Sequence, residues 1–241
     1  LTDPYISVNQ SLEDAGAYSC IVMSPGNLEG EQSEAAVLEV LPLPPLTAYG
    51  MRVLNHDPIM YWNFDEESGP AIEQASLEPN RMLTADAPIR IDHGEFGSAI
   101  TVSEFANVFG TTELDGVVTE GPFAIEFWLR LADPAVTNRY VMEVGIPGGA
   151  GNLPAVIYGY NPMELEFFQG FRTKGFTYED PNDWNDWHHI VLADYDDGIQ
   201  AYDNGSPVSN FEFRSESGDY RLNLSGEIAI GSVRKTHANS P

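Results

Sequence analysis

The sequence predicts an all-β chain whose main body is a two-layer sandwich. Three observations predict it. Short β-branched and aromatic runs alternate with Gly, Pro, Asn and Asp turn dipeptides along the whole length. No segment carries a long apolar stripe at helical spacing between caps. The stretch from Trp184 to Gly205 reads as a hairpin whose first arm is apolar on both faces, which suits a strand buried between layers.

That hairpin has arms His188–Asp194 and Ile199–Asp203. Asp197-Gly198 forms the tight connection, and Asn204-Gly205 turns the chain again. Ile190 and Leu192 share one face, Val191 and Ala193 the other. In chain order, Tyr5-Ile6-Ser7-Val8 alternates like a strand and Ala35 to Val40 reads as another. Between them Asp14 to Gly16 makes a corner, and Ser24-Pro25-Gly26-Asn27 a turn. Leu43-Pro44-Pro45-Leu46 is extended and stiff, because proline fixes φ and removes a donor. Thr47 to Asn55 is expected to form a short helical turn. Tyr61 to Phe64 reads as a strand, with Trp62 and Phe64 on one face and Tyr61 and Asn63 on the other. Gly97 permits a bend. Phe105 to Phe109 reads as a short strand and Leu114 to Val117 as a turn.

The clearest strand runs from Gly121 to Leu131. Phe123, Ile125, Phe127, Leu129 and Leu131 form its inward stripe, opposite Ala124, Glu126, Trp128 and Arg130. Each large apolar side chain buried there stabilises by roughly 1.5–3 kcal/mol. Trp128 is expected to pack within the sandwich rather than serve as a sugar-stacking platform. Further strands are expected at Tyr140–Val144, Pro154–Tyr160, Leu165–Phe168, Gly175–Tyr178, Phe211–Phe213, Leu222–Leu224 and Ile228–Ser232.

The chain has 241 residues, with 11 Lys and Arg against 37 Asp and Glu, a formal net charge of −26. Such a surface repels phosphate backbones and anionic membranes, so neither nucleic acid nor a membrane is an expected partner. No apolar run is long enough to span a bilayer. The charge favours divalent cations instead. Asp65, Glu66 and Glu67 gather at one strand end, and their hard oxygens suit calcium, with Asp65 and Glu66 as the candidate ligands. His188 and His189 alternate faces on a strand and cannot converge on one ion. Glu164 and Glu166 share a strand face but lack a third acid. No Gly-x-Ser-x-Gly, His-Glu-x-x-His or Cys/His pair occurs, and no enzymatic activity is expected.

Two resemblances sharpen this reading. Asp14-Ala15-Gly16-Ala17-Tyr18-Ser19-Cys20 resembles the approach to strand F of an immunoglobulin domain. The resemblance implies a corner tyrosine bonded to backbone and an inward Cys20. It also implies a disulfide partner for that cysteine upstream of Leu1. Trp184-Asn185-Asp186-Trp187-His188-His189 resembles the hairpin of laminin-G-like domains, of the concanavalin A-like lectin/glucanase superfamily. Tyr61-Trp62-Asn63-Phe64-Asp65-Glu66, Phe96-Gly97-Ser98-Ala99, Phe123 to Arg130 and Ile228-Ala229-Ile230-Gly231 resemble other segments of that family.

The implied architecture is a concanavalin A-like jelly-roll β-sandwich with an N-terminal partial immunoglobulin-like piece. Residues 1–42 would be the last strands of the immunoglobulin-like domain, 43–46 the linker, and 47–241 the jelly roll without its last strand. The implied role is a non-catalytic binding or adhesion module of a secreted or cell-surface multidomain protein. Its ligand would be a carbohydrate or an extracellular protein, bound by loops at the rim. A spacer without its own ligand, or a glycoside hydrolase-related domain, are the alternatives.

Overall fold

In a computed structural model, the chain is described over residues 12–38, 40, 45–67, 71, 73–75, 89–93, 96–101, 123–130, 139–145, 154–158, 164–169, 172–178, 185–195, 198–213 and 227–230. Tyr5–Val8, Phe105–Phe109, Leu114–Val117, Leu222–Leu224, Trp184 and Asp197 lie outside these residues. The chain divides into two compact units, Leu1–Pro45 and Leu46–Pro241. The described elements are all β apart from one short helix and a single 3-10 turn.

In the first unit the 3-10 turn Leu12–Asp14 precedes β1 (Gly16–Tyr18), β2 (Ile21–Ser24), β3 (Asn27–Gln32) and β4 (Ala36–Leu38). β1 pairs with β4 and β2 with β3, both antiparallel. The Tyr18 hydroxyl donates to the Asp14 carbonyl at 2.6 Å, closing the corner. Ile21, Val22, Met23, Leu28 and Val37 are exposed. Cys20, expected to face inward, is exposed and unbridged. Cys20 sits in the break between β1 and β2, and its amide and carbonyl are both bonded to Ser33.

The second unit opens with α1 (Ala48–Leu54), started by the Thr47 hydroxyl accepting the Gly50 amide. Next come β5 (Ile89–Asp92), β6 (Ser98–Thr101), β7 (Ala124–Leu129), β8 (Arg139–Gly145), β9 (Pro154–Tyr158), β10 (Glu164–Gln169) and β11 (Arg172–Thr177). The last elements are β12 (His188–Tyr195), β13 (Gly198–Asp203), β14 (Ser206–Pro207), β15 (Glu212–Phe213) and β16 (Glu227–Ile230). A six-stranded sheet runs β15-β11-β10-β9-β8-β16, and a four-stranded sheet runs β14-β13-β12-β7. β5 and β6 form a separate hairpin.

β12 is the centre of its sheet. It pairs with β13 through Leu192↔Ala201 and with β7 through Ile190↔Phe127. Positive φ at Gly198, Asn204 and Gly205 lets the chain reverse before and after β13. Period-two alternation sends Ile190, Leu192, Ile199 and Ala201 to one face, where they form one buried cluster with Leu165, Phe167 and Phe176 of the other sheet and Phe211. Phe123, Ile125, Phe127 and Leu129 pack against the same cluster, as the sequence stripe requires.

Lys174 crosses the same interior. Its ammonium donates to the Ile199 carbonyl at 2.7 Å and lies 4.3 Å from the Phe211 ring centroid. Burial pulls its pKa below the usual lysine range.

Tyr61 to Phe64, expected as a strand, is not one. The Glu73 carboxylate, fully buried, accepts the amides of Tyr61 and Ala75 at 3.0 and 2.6 Å, and the Tyr61 carbonyl takes the Gln74 amide at 2.7 Å. Phe64 then adopts φ 59°, which ends the extended run. A side chain twelve residues away supplies what a neighbouring strand otherwise would.

The core makes a sharp contrast between the units testable. Leu192→Ala is expected to destabilise the second unit by about 2–5 kcal/mol in urea unfolding. Val37→Ala, at an exposed position, is expected to change stability by less than about 0.5 kcal/mol.

Candidate functional site

Three polar constellations stand out. The first surrounds the expected calcium ligands. Asp65 follows the positive-φ Phe64, and its amide donates to Asn63 Oδ1 at 3.3 Å. Its own Oδ1 accepts the Ser98 amide at 2.5 Å, which ties this loop to the start of β6. Gly97, with φ +101°, leaves room for that carboxylate: a Cβ there would sit 2.5 Å from Oδ1 and 2.8 Å from Oδ2. Asp65 Oδ2, Asn63 Nδ2 and Gln74 Nε2 are buried without hydrogen-bond partners among the described residues.

Glu66, adjacent in sequence, is buried. Among the described residues, no three His, Cys, Asp or Glu side chains are grouped to hold a metal. Asp65 and Glu66 alone fall short of the six to eight oxygens a calcium ion needs. The buried, donor-free Asp65 Oδ2 is the one atom here that a cation would relieve.

The second constellation joins the two sheets. Ile190 sets the inward face of β12, and His188, two residues earlier, shares it. Asp203 faces Ile190 across the β12–β13 ladder. Tyr178, just after β11, completes the group. The Tyr178 hydroxyl donates to Asp203 Oδ2 at 2.5 Å, and His188 Nδ1 lies 3.0 and 3.1 Å from the two Asp203 oxygens. A carboxylate only accepts, so His188 Nδ1 carries the proton. Burial pushes the Asp203 pKa up, but the bonds from His188 and Tyr178 outweigh it, and the carboxyl is held below the usual range. An imidazole oriented by a carboxylate is also a general-base geometry. Here His188 is only 7% exposed, and the group clasps β11 to the hairpin.

The third constellation lies on the opposite face of β7 and β12. His189 and Trp128 are register partners. Trp128 stacks on both His189 and Phe96, with ring centroids 4.9 and 4.6 Å apart. Tyr49 of α1 meets Phe96 and Trp128 edge-on. His93 packs 3.9 Å from the Trp187 ring, which also carries the Arg130 guanidinium at 5.0 Å.

A polar chain runs through these rings. Trp128 Nε1 donates to the Tyr49 oxygen at 3.0 Å, the Tyr49 hydroxyl donates to Glu126 Oε1 at 2.8 Å, and His189 Nε2 meets the same oxygen at 2.8 Å. The His189 bond holds the Glu126 carboxyl below the ordinary range, against burial that pushes it up. Burial drives the Tyr49 phenol far above its usual range, so it remains a donor. The pKa of Tyr61 is likewise pushed up by burial, to about 12. Trp128 thus packs under α1 and the β5–β6 turn rather than inside the shared cluster, and its stacked rings occupy the surface a sugar would need.

The adjacent histidines serve different layers: His188 the interior, His189 the outer face. Alternation announced that split, whereas Tyr178, Asp203 and Tyr49 gave no local signal, because their partners are distant in sequence. Glu166, read as a candidate acid, is buried opposite Gly175 on β11. Comparison with models of known protein families finds no match, and neither does comparison with curated proteins.

Because the Asp203 pKa is depressed by folding, its contribution is present above the unfolded carboxyl pKa and lost as pH falls through the folded one. Asp203→Asn is therefore expected to cost about 1.5–3 kcal/mol in urea unfolding near neutral pH. The gap to the parent protein should close in strong acid.

Proposed function

We propose that the second unit is a laminin-G-like jelly-roll sandwich, and that the first is the C-terminal part of an immunoglobulin-like domain. The chain then serves as a non-catalytic binding or adhesion module of a secreted or cell-surface protein. The observation that carries this reading is the antiparallel pair of six- and four-stranded sheets sharing one apolar cluster, with the Trp187-His188-His189 hairpin at its centre. Binding is favoured over catalysis because both histidine–carboxylate groups hold elements together: one joins the sheets and the other fastens α1. The ligand is a carbohydrate or an extracellular protein held by loops at the rim. The net charge of −26 disfavours polyanionic ligands. Calcium is proposed at Asp65, with Glu66 beside it.

The full chain is to be screened against a panel of glycans and extracellular proteins, in millimolar calcium and in EDTA. Saturable binding to one class without turnover is the expected result. Hydrolysis of a bound glycan would contradict the non-catalytic reading, and no binding at all would leave a spacer. For calcium, a rise in melting temperature that grows with calcium concentration is expected, not reproduced by magnesium and lost in Asp65→Asn. The corresponding stabilisation should be about 2.7 kcal/mol at a hundredfold excess over Kd. An unchanged melt would remove calcium from the account.

A further inference from the structure

We propose that α1 is a pH-responsive strap, held on the outer face of the four-stranded sheet by a Glu126–His189 clasp that grips Tyr49. The hold is strongest where Glu126 is ionised and His189 is charged.

The helix needs such a hold. At seven residues it is far below the length at which an isolated helix persists in water. Gly50 is its only buried residue, and Met51 is exposed. Tyr49 is its long reach into the sheet, through the hydroxyl bond to Glu126 and ring edges on Phe96 and Trp128. Glu126 Oε1 accepts from Tyr49 and faces His189 Nε2 at the same distance, 2.8 Å.

The clasp is built on fixed parts. Asn204 Oδ1 accepts the His189 amide at 3.0 Å, and Trp128 stacks on the imidazole ring. These contacts place the imidazole against Glu126. A charged imidazole strengthens two contacts at once: the bond to Glu126 becomes charge-assisted on both sides, and the ring becomes a cation over an indole face. A neutral imidazole still donates from Nε2, but more weakly. Protonating Glu126 removes the carboxylate that Tyr49 and His189 share, and the lowered Glu126 pKa sets that acid limb below the ordinary carboxyl range.

Other titratable and charged groups surround the clasp. His56, just past α1, acts on Glu126, Tyr61 acts on Tyr49, and the Asp203 carboxylate on β13 interacts with His189. His93 reaches the clasp through Trp128, and Arg130 through Trp187 and His93. Arg52 lies on α1 itself. The Tyr49 phenol stays protonated throughout. His56 and His93 therefore need their own controls.

The test is hydrogen exchange on the full chain across pH, read as protection factors corrected for intrinsic exchange. Amides of α1 are compared with those of β12. A bell-shaped profile confined to α1 is expected, with protection falling roughly threefold to tenfold on its alkaline side as the His189–Glu126 bond loses its charge assistance. His189→Asn should abolish the alkaline limb, and Glu126→Gln both limbs, while His56→Asn and His93→Asn keep both. Tyr49→Phe retains the ring and should flatten the profile too; it decides the matter if Glu126→Gln disturbs β12. A flat parent profile, or an alkaline limb that survives His189→Asn, would overturn the proposal.

Discussion

One constraint organises the second unit: the inner faces of two separate sheets must fill a single apolar space. Ile190 and Leu192 on β12, Ile199 and Ala201 on β13, and Leu165, Phe167 and Phe176 on β10 and β11 are all buried in it. At roughly 1.5–3 kcal/mol for each large side chain, this cluster outweighs any single polar contact described above. It also fixes register, since a one-residue slip of β12 would turn Ile190 and Leu192 outward.

The polar groups are placed where that space ends. Asp203, His188 and Tyr178 close it at one position, each satisfied by the others. Lys174 enters from the six-stranded sheet and satisfies its ammonium on a carbonyl of the other sheet and an aromatic face. A buried polar atom costs little when it is paired and much when it is not. Asp65 Oδ2, Asn63 Nδ2 and Gln74 Nε2 stand out against that background. All three lie where Glu73 and Asp65 replace strand pairing with side-chain bonds. The outer face follows a different logic, in which rings from α1, the β5–β6 turn and β7 are stitched by one carboxylate.

What could be read from sequence was what depends on short-range periodicity. The hairpin followed from alternation between Asp197-Gly198 and Asn204-Gly205, and the β7 stripe from five apolar residues at spacing two. A short helical turn was expected from Thr47 to Asn55, and α1 lies within it, capped by Thr47. Long-range contacts were not legible. Tyr61 to Phe64 has the composition of a strand, but Glu73 takes the Tyr61 amide and Phe64 turns to positive φ. Cys20 matches a motif that places it inward, yet it falls between two strands and faces solvent. Asp65 was singled out by type as a candidate ligand, but its bond to Ser98 spans 33 positions. Glu126 read as an ordinary outward acid until Tyr49, 77 positions away, was seen to bond it.

The shared interior is the claim on which the rest stands, and it is most directly tested by cutting into one sheet and reading the other. Phe167→Ala removes a side chain from the six-stranded sheet. If both sheets depend on one core, native-state hydrogen exchange should show opening energies falling by a similar amount, about 3–5 kcal/mol, in β10 and in β12 and β13 alike. A loss confined to β9, β10 and β11, with β12 and β13 protected as before, would contradict it.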